Sequence, residues 1–119
     1  MSNESSTGNT EQERYAELLQ SELSRFVARL RSIGASKIVL FGSYAEGRKD
    51  LYTDLDLFVV LESNLPFVER TAWLYKELAP RVACDILAYT PREWESMRKR
   101  PFVRDATRKG VVLYEKDRS

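Results

Sequence analysis

Asp54 and Asp56 are two acidic residues whose side chains and spacing could support catalysis or metal binding. They stand at the start of an apolar segment, Asp54 to Leu61, which predicts a β-strand. Because side chains two residues apart in a strand point to the same face, the two carboxylates should lie side by side. Their repulsion should raise one pKa unless a cation lies between them. Oxygen ligands at this spacing suit Mg²⁺, which is usually held by one or two carboxylates and substrate phosphates.

A glycine and a serine follow the preceding apolar segment, Lys37 to Phe41, which predicts the first strand. Gly42 can adopt a positive φ and lets a ligand or another backbone approach closely. Ser43 stands where a helix could begin, and the exposed N–H groups at a helix start attract phosphate. Alone, an Asp-x-Asp pair is often a solvated turn or a cap. Combined with the Gly-Ser turn, and with apolar strands on both sides, it predicts a site for phosphate and metal.

A third carboxylate, Asp85, lies within the apolar segment from Arg81 to Tyr89, which predicts a further strand. A buried carboxylate is costly unless it is neutralised or bound to a cation. An arginine or backbone partner is one explanation. A place in the same metal site, next to Asp54 and Asp56 on a neighbouring strand, is the explanation that we favour.

Basic residues occur beside the predicted site and near the end of the chain. Arg48 and Lys49 lie in the loop before Asp54, where they could contact a triphosphate or could simply be solvated. The stretch from Arg98 to Lys109 is also basic, and a solvated face is the first interpretation. A docking surface for an acidic partner or a nucleic acid is the alternative.

Composition excludes several classes of function. The chain of 119 residues has no histidine, which excludes Ser-His-Asp and Cys-His catalysis and histidine zinc sites. Its one cysteine, Cys84, excludes an intrachain disulfide. The net charge of +1 gives no overall argument for nucleic acid, which is not an expected partner. No apolar run approaches the roughly 20 residues that span a membrane, and no signal-peptide core is present, so we expect a cytoplasmic protein.

The remaining elements follow from apolar periodicity and capping residues. We expect residues 1–10 to form a disordered tail and residues 11–119 to form a single domain. The stripe of the first helix should pack in the core, although a partner-binding face is the alternative. The predicted elements besides the strands above are helices over Glu11 to Ile33, Tyr44 to Glu46, Pro66 to Ala79, Pro91 onward and Pro101 to Lys109, and a strand over Val111 to Tyr114.

The two halves of the site together resemble the signature of the polymerase-β-type nucleotidyltransferase superfamily. In that signature a Gly-Ser pair is followed, after about ten residues, by an Asp-x-Asp strand. The short chain is similar to the minimal nucleotidyltransferase (MNT) domains, which are often antitoxins paired with HEPN-domain toxins. The matching segments are Phe41-Gly42-Ser43-Tyr44-Ala45-Glu46-Gly47 and Thr53-Asp54-Leu55-Asp56-Leu57.

This resemblance implies an α/β (α+β) fold of the polymerase-β type, with a small mixed sheet packed against helices. It implies that Asp54, Asp56 and Asp85 bind two Mg²⁺ ions and carry out catalysis. Gly42 and Ser43 would hold the phosphates of ATP, the substrate. A nucleoside monophosphate would then be transferred to an acceptor hydroxyl as pyrophosphate leaves. Larger members of the superfamily carry an extra helical region for the acceptor, and since the chain has no room for one, the acceptor is expected on another molecule.

Three functions stay open at this point. The first is an antitoxin of a type VII-like system that transfers AMP to a tyrosine of a cognate HEPN toxin. The second is an antitoxin that neutralises its toxin by binding alone, although a pure binder needs no such cluster of acids. The third is a nucleotidyltransferase with a small-molecule acceptor, against which the short length argues.

Overall fold

The computed structural model describes residues 10–116, and this part of the chain contains five helices and four strands. The predicted tail falls outside the described residues except for Thr10. The helices are α1 (Glu11–Ser32), α2 (Gly42–Ala45), α3 (Phe67–Leu78), α4 (Pro91–Met97) and α5 (Pro101–Lys109). The strands are β1 (Lys37–Phe41), β2 (Leu55–Val60), β3 (Cys84–Tyr89) and β4 (Val111–Glu115).

The four strands form one mixed sheet in the order β3-β2-β1-β4. β1 runs antiparallel to both β2 and β4, whereas β2 and β3 are parallel. The carboxyl end of β1 therefore meets the amino ends of β2 and β3 at one end of the sheet. This small mixed sheet, packed against helices, confirms the predicted fold class.

The central strand β2 is buried on both faces. Leu55, Leu57 and Val59 point to the side covered by α1 and α3. Phe58 and Val60 point to the opposite side and pack with residues of α4 and α5. Since side chains alternate along a strand, the acidic residue between Leu55 and Leu57 also faces the side of α4 and α5.

A buried glutamate ties α1 to the segment before β3. Glu22 is completely buried and accepts hydrogen bonds from Arg25 Nε (2.7 Å) and from the backbone N–H of Arg81 (2.8 Å). The Arg25 guanidinium is the main reason that the pKa of Glu22 falls to about 2. Because this N–H is bonded to Glu22, the residues from Arg81 stay outside the strand, and β3 begins at Cys84 rather than at Arg81 as predicted.

A buried arginine joins three elements at the edge strand β3. Arg70 of α3 donates from Nη1 to the carbonyl oxygen of Ala88 in β3 (2.8 Å) and to Glu93 Oε1 in α4 (2.7 Å). Glu93 also closes the predicted capping box with Thr90. One carboxylate therefore caps α4 and neutralises a guanidinium that is only 2% exposed.

The first helix packs as its sequence predicts. Thr10 and Glu13 form a capping box at its start, and the stripe that includes Leu19, Phe26 and Leu30 is buried in the core. Core packing thus accounts for this stripe. Across residues 10–116, no helix has the length and apolar character required to cross a membrane.

Candidate active site

The two halves of the predicted site touch at the end of the sheet. Phe41, the last residue of β1, pairs with Asp56 of β2, and Gly42 follows with a φ of +78°. A Cβ atom placed on Gly42 would lie only 2.1 Å from Asp56 Oδ2. Glycine is therefore required here for two reasons. The backbone is left-handed, and the Asp56 carboxylate occupies the space that a side chain would need.

Asp56 also faces the third predicted carboxylate. Asp56 and Asp85 are register partners in the parallel pairing of β2 and β3. Burial is the largest cause that raises the pKa of Asp56 to about 6, followed by the charges of Asp85 and Asp54. Asp54 is close enough for its charge to act on Asp56, but only Asp56 and Asp85 of the three predicted carboxylates line the cleft described below.

A tight turn sets the position of Asp54. Thr53 just before it is completely buried, and its carbonyl oxygen accepts a hydrogen bond from the hydroxyl of Tyr15 in α1 (2.9 Å). The carboxylate of Asp50 accepts from Thr53 Oγ1 (3.2 Å) and from the backbone N–H of Tyr52 (2.9 Å). These bonds hold the backbone that leads into β2.

Arg48 of this loop pairs with Asp50, and the Asp50 carboxylate, with a smaller contribution from Asp54, raises the pKa of its guanidinium. Arg48 donates from Nε to Asp50 Oδ2 at 2.7 Å, and both side chains are exposed to a large degree. Neither Arg48 nor Lys49 lines the cleft described below. Their contact with a triphosphate stays a prediction.

The expected burial of Asp85 is wrong. Its side chain is exposed, because β3 is an edge strand and only β2 pairs with it. Apolar neighbours in the sequence indicated a buried segment, but they pack on the two faces of the sheet while Asp85 stands at its open end. An exposed carboxylate needs no buried partner, so its role rests on its position opposite Asp56.

Tyr75 of α3 is a residue of this site that the sequence did not reveal. Its hydroxyl donates to the carbonyl oxygen of Cys84 (2.9 Å) and accepts from the backbone N–H of Ile86 (3.1 Å). These two groups flank Asp85 on the edge of β3 that has no neighbouring strand. The hydroxyl takes the place of a strand partner, which no periodicity of apolar residues could have indicated.

A cleft of about 740 Å³ opens in front of the acidic cluster. Its volume is in the range of small-molecule sites, about 300–1,000 Å³. One part of its wall is acidic and another part is apolar. The lining residues are Phe41, Gly42, Glu46, Asp56, Thr71, Tyr75, Asp85, Ile86, Leu87, Phe102, Asp105, Ala106 and Lys109.

The carboxylates suit a hard divalent cation. They supply oxygen ligands, and burial followed by the charges of Asp85 and Asp54 raises the pKa of Asp56, so a cation beside it would favour its ionised form. Within residues 10–116, however, no three acidic or thiol side chains form a group that could hold a metal ion by themselves. A cation here would need further ligands, such as the phosphate oxygens of a substrate.

Comparison with known proteins gives one family and several related folds. Residues 21–114 match the family described as nucleotidyltransferase domain. A candidate nucleotidyltransferase from Sulfolobus solfataricus superposes with a TM-score of 0.53 at 16% identity, over 87% of this chain and 83% of that one. A mutant of the MntA–HpeT toxin–antitoxin pair gives 0.52 at 21% identity, over 80% of this chain and 73% of that one.

A third structure, a candidate minimal nucleotidyltransferase, gives a TM-score of 0.52 at 22% identity, over 82% of this chain and 93% of that one. At these identities the likeness concerns the fold. No curated protein sequence matches the chain significantly.

The contact between Gly42 and Asp56 predicts a steric coupling. We expect Gly42→Ala to lower the free energy of unfolding by more than the roughly 1–2 kcal/mol that a left-handed backbone costs alanine. In an Asp56→Ala background the added methyl group would meet only the Cβ of residue 56, at 3.4 Å, so the loss should shrink. Urea denaturation of the four proteins in a double-mutant cycle measures the coupling.

Gly47→Ala is the matched control, since Gly47 has a φ of +104° and nothing within 4 Å of its Cβ position. It should show the backbone strain without any coupling to Asp56. Equal losses for Gly42→Ala in both backgrounds would contradict the steric argument.

The raised pKa of Asp56 predicts a pH dependence of stability in the metal-free protein. The folded pKa of about 6 exceeds the ordinary value of 3.8, so folding favours the protonated acid. Its contribution is present below about pH 3.8 and is lost as pH rises through 6. In EDTA, Asp56→Asn should therefore raise the melting temperature at pH 7–8, and much less at pH 4.

Thermal denaturation from pH 4 to pH 8 tests this expectation. Glu62→Gln, which removes an exposed carboxylate from the loop after β2, should leave the pH profile unchanged. If Asp56→Asn changes the melting temperature equally at pH 4 and pH 8, the carboxylate repulsion is not what the substitution relieves.

The hydroxyl of Tyr75 predicts a local effect of its removal. Tyr75→Phe should cost on the order of 1 kcal/mol, because two backbone groups of the edge strand lose a partner. Hydrogen exchange of the Ile86 amide should accelerate in parallel. Tyr114→Phe is the control, because that ring contacts Arg31 through its face. Unchanged exchange at Ile86 in Tyr75→Phe would refute the assignment.

Proposed function

Because the chain belongs to the nucleotidyltransferase domain family, we propose that it transfers AMP from ATP to a protein hydroxyl. The acceptor is a tyrosine of a cognate HEPN-domain toxin, and the chain is the antitoxin of a type VII-like pair. The observation that carries the catalytic part is the contact of the Gly-Ser turn with Asp56, which itself lies opposite Asp85. A toxin–antitoxin pair among the structures of similar fold supports the partner.

The three carboxylates have different roles in this proposal. Asp54 and Asp56 would hold Mg²⁺ together with the triphosphate, and Asp85 completes the acidic set. Mg²⁺ held there would neutralise phosphate charge and make the acceptor hydroxyl more acidic. The backbone of Gly42 and the hydroxyl of Ser43 hold the β- and γ-phosphates beside the carboxylates. Positioning and neutralisation of charge provide most of the catalysis in phosphoryl transfer.

Asp85 is the general base of the proposed reaction. Its exposed position at the open edge of the sheet leaves it accessible to a hydroxyl on another molecule. The acceptor oxygen attacks the α-phosphorus, and its proton passes to Asp85. The bond from the α-phosphorus to the bridging oxygen breaks, and pyrophosphate leaves with the electron pair. In this proposal Ser43 holds phosphate and the attacking oxygen comes from the acceptor.

Transfer of label from ATP tests the proposal. The purified protein is incubated with Mg²⁺, the product of the neighbouring gene and ATP labelled either at the α- or at the γ-phosphate. Label should reach a tyrosine of the neighbour from α-labelled ATP only, since a kinase would transfer the γ-phosphate instead. Gel analysis and mass spectrometry locate the modified residue.

Asp54→Ala should abolish this transfer while the melting temperature is retained, because removal of a clustered like charge relieves repulsion. Glu62→Ala is the control and should transfer normally. Full transfer by Asp54→Ala would disprove the catalytic assignment. A tight complex that neutralises the toxin without transfer of label would show that the chain acts by binding alone. Label on a small molecule would show that the acceptor is a small molecule and not a protein.

A further inference from the structure

Helix α5 turns one complete face toward the cleft. The residues that line the cleft from this helix follow helical spacing, and they are Phe102, Asp105, Ala106 and Lys109. Phe102 is 62% exposed, although its ring belongs to the wall of a cleft rather than to open surface. Isolated exposed apolar side chains are ordinary, but an exposed ring beside a cluster of carboxylates is a specific arrangement.

The ring of Phe102 is held in a fixed place by two other aromatic rings. It meets Phe41 at 6.1 Å and 86°, and it meets Phe58 at 6.4 Å and 77°, between ring centroids and planes. Phe41 and Phe58 stack on each other at 4.2 Å. Near-perpendicular contacts of this kind are favourable, and with most of Phe102 exposed they leave a ring face open to the cleft.

The same contacts fix the ring relative to the acidic cluster. Phe41 directly precedes Gly42 and pairs with Asp56 across the sheet. The cleft wall therefore includes carboxylates and a glycine turn, and also the open ring of Phe102 with Ile86 and Leu87. A nucleoside triphosphate offers a matching group to each, because its phosphates are charged and its base is flat and apolar on both faces.

We propose that Phe102 is the platform on which the nucleobase of the triphosphate stacks. This inference rests on the proposed nucleotidyl transfer and identifies the part of the site that holds the base. Ala106, one helical turn beyond Phe102, adds only a methyl group to the cleft wall, and Asp105 and Lys109, which also line the cleft, pair with each other at 3.3 Å. Because any base can stack on an aromatic ring, Phe102 should contribute to affinity for nucleotides and not to specificity for one base.

Equilibrium binding of a nucleotide and of a probe without a base tests the platform. With Mg²⁺ present, titration calorimetry gives the Kd of α,β-methylene-ATP, which cannot be cleaved at the α-phosphorus, and the Kd of inorganic tripolyphosphate. Phe102→Ala should raise the Kd of the nucleotide roughly 5- to 150-fold, the range expected for loss of one stacked base. The Kd of tripolyphosphate should stay unchanged.

Two further variants keep the test decisive. Phe102→Leu retains apolar bulk against Phe41 and Phe58 but lacks a π-face, so it should weaken nucleotide binding as Phe102→Ala does, even if the alanine variant is unstable. Phe102→Trp should bind at least as tightly as the wild type. Trp73→Ala, which removes an exposed aromatic residue of α3 outside the cleft, should bind normally.

Each result decides between distinct conclusions. An unchanged nucleotide Kd in Phe102→Leu overturns the platform while the proposed transferase stands, and a raised KM for the acceptor alone would assign the ring to the acceptor instead. An equal loss for nucleotide and tripolyphosphate also overturns the platform, because the damage would then reach the phosphate site. A wild-type protein that binds and transfers no nucleotide overturns the proposed function together with the platform.

Discussion

The missing side chain at Gly42 is the constraint on which the site depends. Only hydrogen stands where a Cβ would overlap the Asp56 carboxylate, so van der Waals contact sets the distance between the turn and the acid. That contact needs the pairing of Phe41 with Asp56. A shift of one residue would send Asp56 to the opposite face of the sheet. The apolar cores on both faces of β2 oppose such a shift. The same packing that stabilises the fold therefore fixes the position of Asp56 beside Gly42.

Some buried charges in this molecule have partners of opposite charge, whereas the partly buried Asp56 has carboxylates as neighbours. Glu22 and Arg70 are buried, but each has charged and backbone partners, and the pKa of Glu22 is lowered. Asp56 is less deeply buried, yet its carboxylate neighbours and its burial raise its pKa. A folded protein that compensates its structural charges and leaves one cluster uncompensated has an electrostatic reason to bind cations at that cluster.

The sequence predicts this fold where local rules decide it. Glycine and proline positions, capping boxes and apolar alternation located the strands and helices to within a few residues, and the spacing of Asp54 and Asp56 located the acidic cluster. Contacts between segments that are distant in the sequence could not be predicted from it. The hydroxyl of Tyr75 on β3 and the exposure of Asp85 depend on strand order and side-chain direction. Apolar neighbours even predicted the wrong burial for Asp85, since an edge strand can be apolar along its length and open at its end.

The different environments of two opposed carboxylates fit them for different tasks in the proposed reaction. Asp56 lies on the inner strand β2 against Gly42 and is half-buried. Asp85 lies across the same ladder, on the edge strand, where a hydroxyl from another molecule can approach. Burial, followed by the charges of Asp85 and Asp54, raises the pKa of Asp56, so a cation bound there would favour the ionised form of Asp56. In the proposed reaction the half-buried carboxylate would then hold the cation while the exposed one faces the acceptor.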